Sequence, residues 1–67
     1  MEPELVYAKT YNGLATTLDE AYVAVKEITD QLSWVIEDNI DIYIGMRDKK
    51  LYQYDGFKYR YYVKILL

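Results

Sequence analysis

The chain has 67 residues, eleven acidic and eight basic side chains for a net charge of −3, and a hydrophobic fraction of 52%. That length allows one domain, and a domain so small buries only about 60% of the surface its unfolded chain exposes. With no Cys and no His, the chain excludes disulfides, ordinary zinc or copper centres, and nucleophilic or acid–base chemistry built on those residues.

The usual reinforcements of a small scaffold are therefore missing except oligomerisation, and a homodimer is expected. No apolar run reaches the roughly eighteen residues of a membrane span, and Met1-Glu2-Pro3-Glu4 is acidic rather than signal-like. An intracellular, cytoplasmic location follows as an expectation, in the host cytoplasm if the chain is phage-encoded.

In chain order, Pro3 marks where a first strand can begin, and Leu5-Val6-Tyr7-Ala8 reads as a strand with apolar residues on both faces. Asn12-Gly13 carries the signal of a type I′ turn, which would pair Lys9-Thr10-Tyr11 with Leu14-Ala15-Thr16 in a short hairpin. From Thr17 to Asp38 the spacing of Leu18, Ala21, Val25, Ile28, Leu32, Val35 and Ile36 predicts one long helix with a single apolar stripe. Thr17 and Glu20 have the form of a capping box at its start, and Asn39 suits the position just past its end. At 1.5 Å per residue such a helix is a rod of roughly 30 Å. Its outer face would carry Val23 and Trp34 among Asp19, Glu20, Glu27, Asp30 and Glu37.

Residues 40–47 alternate with period two, placing Ile40, Ile42, Ile44 and Met46 on one side of a half-buried strand. Asp48-Lys49-Lys50 then reads as a turn, Leu51-Tyr52-Gln53-Tyr54 as a strand, and Asp55-Gly56 as a tight hairpin into a last strand from Phe57 to Ile65. That register gathers Tyr52, Tyr54, Phe57, Tyr59, Tyr61, Val63 and Ile65 onto a face meeting the helix. The apolar finish Ile65-Leu66-Leu67 is expected to be covered. The expected fold is a single α+β domain over residues 1–67: one long helix on one face of a small, mainly antiparallel sheet, in the order β-α-β-β-β, with or without a short N-terminal hairpin.

Catalysis has little to stand on. Ser33, the only serine, falls inside the expected helix, and no Gly-rich phosphate loop is present. The densest oxygen cluster, Glu37-Asp38-Asn39-Ile40-Asp41, lacks the ligand spacing of a calcium loop and reads as a solvated helix end. No enzyme activity, cofactor or metal is expected.

Charge divides along the chain: residues 1–44 carry nine acids and two bases, whereas residues 45–67 carry six bases and two acids. This division can simply keep the domain soluble or orient two copies. It also supports two interaction readings. In the first, Glu20, Glu27, Asp30, Glu37 and Asp38 line the helix around Trp34 as an anchor and dock in a basic groove of another protein, imitating nucleic-acid phosphates where that groove is a nucleic-acid channel. In the alternative, Tyr43 and Tyr62 stack bases of a single strand while Arg47, Lys58, Arg60 and Lys64 neutralise its phosphates from the sheet face. In size, charge and lack of catalytic signatures, the chain resembles the small early proteins by which bacteriophages inhibit host machinery. That resemblance implies a non-enzymatic inhibitor that binds a host enzyme or nucleic-acid-handling protein.

Overall fold

The computed structural model describes residues 8–66; the strand expected at Leu5–Tyr7, the Pro3 that would open it, and the terminal Leu67 lie outside the described residues. The elements are β1 (Ala8–Ala15), α1 (Leu18–Asp30), β2 (Ile40–Met46), α2 (Lys49–Asp55) and β3 (Tyr59–Leu66), with a single 3₁₀ turn at Glu37–Asn39 before β2. The fold is α+β. Its sheet has the order β1-β3-β2, with β3 antiparallel to both neighbours. β1 and β2, joined through α1, therefore run parallel to each other on either side of the last strand.

Thr17 caps α1 as expected, its hydroxyl accepting from the Glu20 amide at 3.1 Å. The reciprocal arm differs. The Glu20 carboxylate accepts from the backbone N–H and the hydroxyl of Thr16 rather than returning to Thr17. Those contacts, the Thr16 hydroxyl first, hold the Glu20 carboxyl below its ordinary value.

The expected long helix ends early. After Asp30 the backbone tightens to three-residue spacing, with Gln31 donating to Ile28, Leu32 to Thr29 and Val35 to Leu32. The Thr29 hydroxyl also turns back to the Lys26 carbonyl, a bond that draws on the carbonyls at a helix end. A helix continued to Asp38 would place Glu37 and Asp38 at the negative end of its dipole with no basic residue in the last turn, which disfavours the longer form. Length matters as well: twenty-two helical residues would span about 33 Å, whereas an eight-residue strand spans about 26 Å. A full-length helix would overhang the sheet, and the turn instead folds Leu32 into the core, where it is buried.

Two turn signals proved to have other uses. Asn12-Gly13 lies inside β1, paired with Tyr62 and Tyr61, and no hairpin forms there. A Cβ at Gly13 would collide with the outer end of the Tyr61 ring, so the glycine makes room for an aromatic side chain lying across it and is not there for positive φ. Asp55-Gly56 does contain the left-handed residue, Gly56 at φ 83°, but this glycine terminates α2, its N–H donating to the Tyr52 carbonyl. Leu51–Tyr54, expected as a strand, is thus helical. Asp48 accepts from the Lys50 N–H at its start and Gly56 closes it, so two caps frame a seven-residue helix against the strand preference of its tyrosines. Tyr54 projects into solvent instead of pairing with Phe57.

The last strand follows its alternation. Val63 and Ile65 are 0% and 1% exposed and meet Val25 and Leu32, with Tyr11, Ile28, Val35, Ile40, Ile44 and Tyr61 packed around them. Of the apolar finish, Ile65 is covered and Leu66 stays largely exposed. α1 lies mainly over β3 and β1 and only grazes β2. As a result Ile42 and Met46, on the core side of that edge strand, remain 48% and 60% exposed. No helix among the described residues is long and apolar enough to cross a membrane.

Candidate interaction surfaces

The early end of α1 separates the acids that the sequence places on one rod. Glu27 and Asp30 are exposed on α1, with Asp30 3.6 Å from Lys26 across one helical turn. Glu20 is occupied with Thr16 at the start of α1. Glu37 and Asp38 sit in the 3₁₀ turn, beyond a bend in the chain. The continuous acidic helix face around Trp34 does not form, because Trp34 itself belongs to the connecting turn.

That turn makes a different surface. Trp34 and Ile36 are 68% and 69% exposed on either side of the half-buried Val35. Beside them a groove of about 460 Å³ opens between the end of α1, the turn and β2, floored by Leu32, Val35, Ile40 and Ile42 and bordered by Thr29, Ser33 and Glu37. The spacing of Ile36 puts it on the core stripe. Its exposure follows from the chain leaving the helix after Asp30.

The basic residues divide too. On the sheet face away from α1, Tyr43 pairs with Tyr62 across β2 and β3, their rings stacked at 5.2 Å and inclined by 20°. The Arg60 guanidinium stands 5.8 Å from the Tyr43 ring and the Lys64 ammonium 5.4 Å from that of Tyr62, both within cation–π range. A Cβ at Gly45 would collide with the Tyr43 ring, so that glycine gives the tyrosine its place. These four side chains come together as the alternation of the strands predicts.

Arg47 and Lys58 are directed elsewhere. Arg47 Nη1 donates to both carboxylate oxygens of Asp55, at 2.8 and 2.9 Å, and to the Phe57 carbonyl at 2.8 Å. Only 12% of its side chain is exposed, so it ties α2 to the sheet and offers no free charge to a ligand. Lys58 lies 5.7 Å over the Tyr52 ring, at the α2 end of the sheet.

The Phe57 N–H donates to Asp55 at 2.9 Å, and this contact, followed by Arg47, holds the Asp55 carboxyl below its ordinary 3.8. A lowered carboxyl contributes stability above its unfolded value and loses it as pH falls through the folded one. The Phe57 amide resonance should therefore titrate with a midpoint below pH 3.8 as the attachment of α2 loosens. In Asp55→Asn this titration should vanish; its persistence would assign it to another group.

Against known proteins, no family model, curated protein or solved structure matches the chain. The surfaces above are accordingly the basis for assigning a role.

Proposed function

We propose that the chain is a non-enzymatic protein-interaction module that engages its partner through the Trp34–Ile36 turn. The observation that carries this reading is the neighbouring exposure of Trp34 and Ile36 on the turn whose Ser33, Val35 and Glu37 line a largely apolar groove. Large apolar side chains left in water beside a concave apolar floor are characteristic of association surfaces, and Trp is enriched among the residues that dominate binding energy. Asp30, Glu37 and Asp38 lie close by in sequence on both flanks of the turn, which favours a partner with an apolar recess and a basic rim. Where that basic rim also holds nucleic acid, the chain acts as a steric inhibitor of the phage type. The acids supply charge while Trp34 supplies the anchor.

The test is an affinity capture with nuclease, comparing the 67-residue chain with Trp34→Ala. Truncating a central anchor costs about 2 kcal/mol or more, so the partner's Kd should rise roughly thirtyfold. Stability should change by no more than about 0.5 kcal/mol, because the residue is largely solvated. A nuclease-resistant partner that binds Trp34→Ala as tightly as the parent chain would refute the reading. A second copy is a further occupant favoured by a specific observation, the exposed Ile42 and Met46 on edge strand β2. Sedimentation of the purified chain tests it; a monomer at high micromolar concentration would exclude a stable homodimer.

A further inference from the structure

The sheet face opposite α1 uses none of the residues of the Trp34 turn. We propose that it binds single-stranded nucleic acid, with Arg60 contacting a phosphate between two successive bases. Arg60 lies on the central strand and borders two separate hollows, one toward β1 and one toward β2 and α2. The first, about 310 Å³, is bounded by Tyr62, Leu14 and Asn12. The second, about 260 Å³, is bounded by Tyr43 and Leu51. Each hollow thus joins a tyrosine ring and an aliphatic side chain to the same guanidinium, which matches the alternation of flat apolar base and charged phosphate along a strand.

The ring pair strengthens this assignment. Tyr43 and Tyr62 stack on each other with Arg60 and Lys64 standing over the rings, so a base laid in either hollow would set its face against a tyrosine and a cation together. Bases paired in a duplex cannot present their faces in this way, whereas those of a single strand can. Lys64, beside Tyr62, supplies a second cation to the backbone. Charge complementarity favours a polyanion over a neutral partner, and the aromatic pair favours one with bases over a carboxylate-rich peptide. Asp41, opposite Lys64, and Asp48, at the edge of the second hollow, limit the affinity and confine the charge to the centre of the face.

The experiment is fluorescence anisotropy of the whole chain with a labelled oligothymidylate of about ten nucleotides, at about 50 and about 200 mM salt. With two phosphate contacts, each giving a slope near −0.7 on single strands, affinity should fall about sevenfold over that range. Arg60→Gln should weaken binding and reduce the slope by about 0.7. Tyr62→Leu, checked for an unchanged circular dichroism spectrum, should lose on the order of tenfold. Trp34→Ala should bind as the parent chain does, so failure here and failure of the protein-interaction reading are separable.

Backbone amide shifts induced by the oligonucleotide should map to residues 12–14, 43–45 and 60–64, giving a readout that does not rely on variants. Absence of binding at the lower salt would overturn the proposal, as would equal affinity for the matching duplex, or indifference to both Arg60→Gln and Tyr62→Leu. Tighter binding of polyglutamate than of the oligonucleotide would reassign the face to an acidic protein segment.

Discussion

Ile65→Ala should remove most of the stability of the domain. Ile65 is 1% exposed on the central strand, flanked by Val63 at 0% and packed against Val25 and Leu32, so the cavity cannot be filled from solvent or by movement of an edge. Truncation of a buried Ile costs about 2–5 kcal/mol, and a domain of this length is held by roughly 3–10 kcal/mol in total. With an m-value near 1 kcal/mol per molar urea, the midpoint should fall by on the order of 3 M, or the transition should vanish. Ile65→Val keeps the measurement informative if the alanine variant does not fold, since it should cost only about 1 kcal/mol. Ile42 lies on the same face but is 48% exposed, so Ile42→Ala should cost less than half as much as Ile65→Ala. Equal costs at the two positions would contradict an α1 that covers β3 and leaves β2 open.

Gly13→Ala should destabilise the domain by about 1–3 kcal/mol through overpacking, and the loss should depend on Tyr61. Gly13 pairs directly with Tyr61, and an added Cβ would enter the space of its ring. Its φ is not positive; Gly56 alone has that conformation among the described residues. In a Tyr61→Leu background, where the ring is gone, Gly13→Ala should cost less than about 0.5 kcal/mol, leaving a coupling energy that accounts for most of the effect. A turn glycine would behave differently, because alanine at positive φ is penalised whatever lies across the strand. Urea denaturation of the four proteins of this cycle separates the two cases: an undiminished penalty in the Tyr61→Leu background would restore the hairpin.

The same pair of alternatives shows where local signals lose their meaning. Gly in an Asn-Gly dipeptide is equally suited to a type I′ turn and to lying under an aromatic ring, and the choice depends on Tyr61, forty-eight positions later in the chain. Gly56 carries its conformational requirement in the sequence, but whether it reverses a hairpin or stops a helix depends on the segment before it. For Lys49–Asp55 the caps Asp48 and Gly56 outweighed two tyrosines with strand preference.

Period-two alternation over 40–46 and 59–66 by itself determined the two strands that carry the core and the open face, and with them the grouping of Tyr43, Arg60, Tyr62 and Lys64. The Thr17 cap and the apolar spacing through Val25 likewise determined where α1 begins and which side it buries. These properties are short-range: a strand's faces and a helix's stripe follow from spacing within a few residues. Only the tertiary structure decided that β3 enters between β1 and β2, that α1 stops at Asp30, and that Trp34 and Ile36 leave the helix for solvent. It also committed Arg47 to Asp55 and withdrew it from the basic face. Each of those outcomes depends on contacts between segments far apart in the chain, whose energies no local pattern encodes.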